Sequence, residues 1–248
     1  MLLVSELETI IELNKYAELN NKIYEIILMI DVGDLREGIY FKNFEKIRYS
    51  VDNIMNLNNI HLKGIGTNFS CFGGVRPTKE KFDILIDIKK ELEKIFKSKI
   101  EIVSGGSSGT LSIFNKVEIP KEINQLRCGA AIALEIGLDD KPFEYLHQDT
   151  VEFVSKFVEI KSKKINGKWK KIGVCLINTP GLKTEYFIPK DKNIEIIDIN
   201  NDYLILDITK SNKVYYLNNK IKFYLSYGGL LLMMGSPYTN KIYINKEL

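Results

Sequence analysis

Apolar and polar positions follow two rhythms along this chain. In the first part, short apolar runs stop abruptly at polar, glycine-rich loops, and stretches with helical periodicity follow. Met1–Val4 reads as the tail of a strand. Ser5, with Glu8 three residues on, forms a capping-box signature for a helix to about Leu19. Its apolar positions include Leu7, Ile10, Ile11 and Leu13. Tyr24–Ile30 predicts a second strand, Phe44–Leu57 a helix, and His61–Asn68 a strand ending in G-T-N. A polar loop, S-C-F-G-G-V-R-P, comes next. Thr78 then precedes a helix to about Lys97, with Phe82, Leu85, Ile88, Leu92 and Ile95 on one face. Lys99–Val103 predicts a fourth strand, with a short helix from around Ser108. Ile123–Leu126 predicts a fifth strand, passing through R-C-G-A-A into a helix over Ala131–Ile136. Unbroken strand–helix alternation over roughly the first 140 residues predicts a parallel α/β architecture with right-handed crossovers.

The rhythm changes after Leu138, where D-D-K-P marks a junction. Alternating β pattern then covers Val151–Lys161, Lys170–Ile177, Ile194–Ile199, Tyr203–Ile208, Lys213–Leu217, Ile221–Tyr227 and Lys241–Ile244. Asn166-Gly167 is a tight-hairpin signal, and Asn200-Asn201-Asp202 is another turn. Gly229–Met234 is the one candidate helix in this part. The expected organisation is residues 1–148 as an α/β domain and 149–248 as a small, partly closed β barrel.

Composition removes several classes of function. Lys+Arg 35 against Asp+Glu 32 gives a formal charge of +3, so no nucleic-acid footprint is expected. Lys79, Lys81, Lys89, Lys90 and Lys94 on helix faces, and Lys161–Lys164 in a turn, read as solvated surface. Three cysteines (Cys71, Cys128, Cys175) fit neither a zinc site nor a disulfide framework, and two histidines do not support a metal site. A reducing cytoplasm is the expected compartment. No apolar run is long enough to span a membrane, and the first residues lack signal-peptide character.

Candidate chemistry sits where strands end. Ile26–Gly38, I-I-L-M-I-D-V-G-D-L-R-E-G, reads as a buried parallel strand delivering Asp31, Asp34 and Arg36 to the mouth of a barrel. S-G-G-S-S-G (Ser104–Gly109) and R-C-G-A (Arg127–Ala130) each stand between a strand and a helix. Glycines admit close approach, helix N-termini offer N–H groups, and Ser107 and Ser108 add hydroxyls, a combination suited to phosphate. These loops follow the last two strands of the alternating run, the usual phosphate position in such barrels. Thr67 and Asn68 end another strand and are either ligand-binding or turn residues. Arg127 and Arg36 are either fixed cations at the mouth or local salt-bridge partners.

In their order, D-V-G-D-L-R-E-G, G-I-G-T-N-F, S-G-G-S-S-G-T-L and I-N-Q-L-R-C-G-A-A resemble the fold-type III pyridoxal 5′-phosphate (PLP) racemases. The resemblance is nearest to the alanine/ornithine racemase family and covers nearly the whole chain. L-I-L-D-I-T and S-Y-G-G-L-L-L-M-M-G-S-P-Y look like that family's β domain. The resemblance implies an incomplete (β/α)8 TIM barrel of about five βα units followed by a small all-β domain. It implies PLP as cofactor, a small amino acid as substrate, and L/D interconversion by two-base Cα proton transfer. Arg127 would face the pyridine nitrogen and keep it unprotonated. Ser107 or Ser108, with the backbone of Gly129 and Ala130, would hold the phosphate. Arg36, supported by Asp31, would stand near the cofactor hydroxyl and the substrate carboxylate. Asn68 takes the place of a histidine near the ring, and Tyr238 falls in a tyrosine region that contacts phosphate. Arg36 and Tyr227 are the candidate catalytic side chains.

The resemblance also implies departures. Met1–Val4 looks like the family's fourth barrel strand, so three strand–helix units and the Schiff-base lysine are expected to be absent. Lys63 lies inside a strand, Lys22 precedes one, and Met29 replaces a lysine. The chain alone is therefore expected to be inactive and aggregation-prone, completed by a missing N-terminal segment or a homodimer. A non-catalytic PLP- or phosphate-binding module is the alternative.

Overall fold

The computed structural model describes residues 1–69, 74–114, 116–137, 141–147 and 149–244. Cys71 and part of the S-C-F-G-G-V-R-P loop lie outside them, as do Asp139 and Asp140 of the expected junction. The chain forms two compact units: Met1–Ile132 with Ile136–Phe143, and Ala133–Glu135 with Glu144–Leu248.

In the first unit, β1 (Leu2–Val4), α1 (Leu7–Leu19), β2 (Tyr24–Asp31), β3 (Ile39–Tyr40), α2 (Phe44–Met55), β4 (Ile60–Thr67), α3 (Lys79–Phe96), β5 (Ile102–Ser107), α4 (Ser108–Leu111), β6 (Gln125–Arg127) and α5 (Ala130–Ala133) follow in order. The strands run parallel in the order β1-β2-β4-β5-β6, with the short β3 beside β2. This is a curled, partial (β/α) barrel. Alternation along β2 explains its two buried faces. Ile26, Leu28 and Ile30 join Ile47, Val51 and Ile54 of α2 and Leu85, Ile88 and Leu92 of α3 in one core. Ile27 and Met29 are equally buried on the other face. There Gly66 makes room: a Cβ on it would lie 3.0 Å from both Ile27 and Ser104.

Three local expectations are corrected. The N-cap of α1 is Glu6, without a side-chain bond, so the Ser5–Glu8 capping box does not form. The fourth strand begins at Ile102, and S-G-G-S is strand rather than loop. Gly105 and Gly106 are closely packed there: a Cβ on Gly105 would lie 2.4 Å from Ile123, and one on Gly106 2.6 Å from Thr110 Oγ1. The helix expected over Ala131–Ile136 is a single turn that stops at Ala133, with Glu135 in the left-handed region at φ 56°.

The second unit contains β7 (Phe153–Ile165), β8 (Lys168–Leu176), β9 (Phe187–Pro189), β10 (Glu195–Ile199), β11 (Tyr203–Asp207), β12 (Lys220–Leu225) and α6 (Tyr227–Gly235). The antiparallel order is β10-β11-β8-β7-β12-β9. Asn166 (φ 49°) and Gly167 (φ 78°) both take the left-handed conformation that a two-residue hairpin requires. The long β7 pairs with β12 through residues 153–156 and with β8 through residues 157–165, so it serves both ends of the nearly closed sheet. Phe157, Cys175, Leu204, Leu206 and Phe223 centre the core. Lys213–Leu217 and Lys241–Ile244 are not strands. Val214, Tyr216 and Leu217 are exposed, and only Tyr215 turns inward, its ring 5.0 Å from that of Phe157. Ile242, Tyr243 and Ile244 are likewise exposed. The apolar spelling of those segments imitates strands that no neighbour pairs.

Candidate functional site

The C-terminal ends of β2, β4, β5 and β6 bring the chemistry-bearing residues of the first unit together. Arg127 closes β6. Its guanidinium donates to Ser104 Oγ on β5, to the Thr67 carbonyl at 2.9 Å, and to Asn68 Oδ1. Asn68 is buried, and its Nδ2 donates to Glu37 Oε1. Glu37 also receives Nε and Nη2 of Arg36, the latter at 2.6 Å. A row results: Arg127, Asn68, Glu37, Arg36. Guanidinium groups only donate and a carboxylate only accepts, while an amide does both. Donation therefore converges on Glu37 from both ends of the row.

Beside it lies a small cup. Ser108 Oγ accepts the Gly129 N–H at 3.2 Å and the Ala131 N–H at 3.0 Å, tying the loop after β6 to the start of α4. Thr110 Oγ1 donates to the Gly105 carbonyl at 2.7 Å and anchors α4 to β5. Ser107 caps α4 without spending its hydroxyl on a capping bond. A Cβ on Gly129 would meet nothing within 4 Å. That glycine, unlike Gly105 and Gly106, borders open space.

The loop after β2 is held from within. Asp31 Oδ1 accepts the N–H groups of Gly33 at 2.6 Å and Asp34 at 2.8 Å, and Lys81 Nζ donates to the Val32 carbonyl at 2.9 Å. Gly38 has φ 118°, and a Cβ there would lie 2.5 Å from the Asp31 nitrogen, so the chain turns back against β2 only with glycine.

Arg36, Asn68 and Arg127 thus join one hydrogen-bonded row, and Ser108 joins Gly129 in the cup; Ser107 and Ala130 flank it. The expectation of Asp31 as the support of Arg36 gives way to Glu37: the Asp31 oxygen serves its own turn. Glu37 was legible only as the acid next to Arg36. Thr67 contributes its carbonyl, while its fully buried hydroxyl is 3.5 Å from the Asn68 carbonyl. Tyr227, at the start of α6, and Tyr238 belong to the second unit, where both are exposed. Lys63 stands between Glu101 at 3.0 Å and Glu25 at 3.3 Å, and the hydrogen bonds it donates to these two carboxylates raise its pKa above the ordinary 10.5. Burial raises the Cys128 thiol, and pushes Cys175 up to about 12. Among the described residues no cluster of three or more His, Cys, Asp or Glu is placed to hold a metal.

A serine–glycine cup and a hydrogen-bonded arginine at the C-terminal ends of parallel strands make this an α/β-barrel protein with a polar site at the strand ends. The sequence pattern described as "Alanine racemase, N-terminal domain" matches residues 1–135, and the chain belongs to that family. It is 35% identical over 251 residues to a lysine racemase of Thermotoga maritima, covering 94% of this chain and 68% of that protein. It is 34% identical over 257 residues to an ornithine racemase of Acetoanaerobium sticklandii, covering 96% and 72%. Among solved structures, the alanine racemase of Bartonella henselae with covalently bound pyridoxal phosphate superposes with a TM-score of 0.59 at 14% identity, covering 89% of this chain and 63% of that one. The chain thus spans roughly two thirds of the proteins it matches. PLP is the cofactor this family implies, and the residues fit it. The Ser107 and Ser108 hydroxyls are donors suited to a phosphate, the open side of Gly129 leaves room for one, and Arg127 is a fixed cation at the same strand ends.

Proposed function

We propose that this chain forms the cofactor-holding part of a PLP-dependent amino-acid racemase. The observation that carries the reading is the hydrogen-bonded row Arg127–Asn68–Glu37–Arg36 at the same strand ends as the Ser108–Gly129 cup. When bound, PLP supplies an electron sink for the charge left after Cα loses a proton. The chain's own residues do the rest. Ser107, Ser108 and the Gly129 and Ala130 backbone hold the phosphate. Arg127, a group that donates and keeps its proton, would face the ring nitrogen of the cofactor and leave it without a proton. Arg36 orients the substrate carboxylate. Tyr227 is the candidate proton-transfer group and Tyr238 a further phosphate contact. The names of the two curated relatives support a substrate with a cationic side chain. A homodimer in the cytoplasm is the proposed setting; among the described residues no helix is long and apolar enough to cross a membrane, and Cys128 and Cys175 are free thiols.

The reading is tested by titrating the full chain with PLP and following Cα deuterium uptake by L-ornithine, L-lysine and L-alanine in D2O. The Ser107→Ala, Ser108→Ala double variant is expected to weaken PLP binding at least ~10-fold, the scale of losing two hydrogen bonds. Unchanged affinity would sink the assignment of the cup. A second reading, a non-catalytic PLP- or phosphate-binding module, draws on Lys63, which is held protonated between two carboxylates. Tight PLP binding with no deuterium uptake on any amino acid, even when the N-terminal third of an ornithine racemase is supplied as a separate polypeptide, would favour it.

A further inference from the structure

We infer that Glu37 is a positioning residue that acts through Asn68 to fix Arg127, and directly to fix Arg36, at the cofactor site. The inference rests on the PLP reading for its consequence, and on this chain's own geometry for its cause.

Arg127 and Asn68 lie 59 positions apart, and Asn68 and Glu37 31 apart, so nothing local brings them together. A side-chain amide can be turned either way. Arg127 can only donate, so it selects Asn68 Oδ1. That choice points Nδ2 the other way, into a buried setting where an unmatched donor costs about 1–3 kcal/mol. Glu37 is the acceptor that receives it. Its carboxylate also takes two nitrogens of Arg36. One carboxylate thus stands between two guanidinium groups, satisfies the amide that holds one, and grips the other. Without it, Asn68 Nδ2 is left a buried donor with no acceptor, which loosens the amide that holds Arg127, and Arg36 loses its bidentate partner.

The chemistry separates hydrogen bond from charge. Glu37→Gln retains an oxygen for Asn68 Nδ2 but gives up the charge facing Arg36. Glu37→Ala gives up both. Arg127 orientation is therefore expected to survive the first change and to loosen in the second. The Ser108–Gly129 cup shares no hydrogen bond with Glu37, so phosphate affinity is expected to be insensitive to either.

The test uses the full chain and two readouts. The first is the nitrogen-15 NMR signal of the Arg127 guanidinium without cofactor, assigned by its loss in Arg127→Lys. It is expected to be shifted and exchange-protected in the parent and in Glu37→Gln, and to move part of the way to the solvent-averaged position in Glu37→Ala, where Ser104 Oγ and the Thr67 carbonyl still hold the guanidinium. The second is the dissociation constant for PLP beside that for inorganic phosphate. Glu37→Ala is expected to weaken PLP about 10-fold and phosphate less than about 2-fold. Glu37→Ala placed on Asn68→Ala is expected to add little, since residues in one network couple. An unshifted Arg127 signal in Glu37→Ala overturns the inference, as does equal weakening of PLP and phosphate, or full additivity with Asn68→Ala. If the Arg127 signal responds as expected while the parent chain fails to bind PLP, the PLP reading falls and the positioning role stands. Thermal midpoints of the variants separate a folding defect from a local one.

Discussion

At the scale of single residues, the glycines sort into two kinds that their spelling does not separate. Gly106 holds φ at 101°, and a Cβ on it would press on Thr110 Oγ1 at 2.6 Å and Phe69 Cδ2 at 2.8 Å. Gly129 borders open space. Gly106→Ala is therefore expected to cost about 2–4 kcal/mol through backbone strain and overpacking, measured as a shift in the urea unfolding midpoint. A loss below about 0.5 kcal/mol would show that the conformation at 106 is not required. Arg127 shows the same dependence on context. In sequence it is a lone arginine after three apolar-edged positions; in the fold it bridges β4, β5 and the loop after β4 through Thr67, Ser104 and Asn68.

At the scale of elements, ion pairs tie the β unit's strands where hydrophobic cover thins. Glu152, just before β7, accepts from Lys190, just after β9, and from Lys222 in β12 at 2.9 Å. Those hydrogen bonds hold its carboxyl below the ordinary 4.5. A carboxylate with a depressed folded-state pKa adds stability above its unfolded pKa and loses it as pH falls through the folded one. Glu152→Gln is expected to cost about 0.5–1 kcal/mol near pH 7. The difference between parent and variant should close as pH falls below about 4. Urea denaturation of both proteins at pH 7 and pH 3 checks it; an equal gap at both values would contradict the pairing. β5 carries a second lesson at this scale. Its G-G pair reads as a loop, yet parallel pairing with β4 through Gly66↔Ser104 and Thr67↔Gly105, and with β6 through Ser107↔Arg127, extends the strand to Ser107. Pairing with neighbours overrode the low strand propensity of glycine.

At the scale of the whole molecule, the parallel sheet of the first unit ends in β1 on one side and β6 on the other. β1 pairs through Leu2, Leu3 and Val4 with β2, and Leu2 and Leu3 remain 41% and 43% exposed. An apolar outer strand is a template for further pairing, which short length and charge oppose. The chain is expected to self-associate as concentration rises, and Leu3→Lys to suppress that association without lowering the thermal midpoint by more than a few degrees. Sedimentation velocity across a tenfold concentration range measures it; a concentration-independent monomer would remove the expectation.

Most elements, and the strand ends at which the polar candidate residues stand, were legible in the amino-acid pattern. Apolar periodicity is local, so β2, β4, α2 and α3 were legible to within a residue or two. So were Arg36, Asn68, Arg127 and the serine–glycine runs, each placed by an apolar run that stops at a polar residue. The tertiary structure decided what those residues do to one another. Glu37 gained its place only because β2 and β4 are neighbours, which lets the carboxylate meet Asn68. Asp31 lost its expected place because its own turn supplies two nearer donors. The apolar stretches at Lys213–Leu217 and Lys241–Ile244 failed as strands because a strand needs a partner's hydrogen bonds, and sequence pattern records only faces. Hydrogen-bond partners come from across the fold, and it was the fold that assembled the row from Arg127 to Arg36.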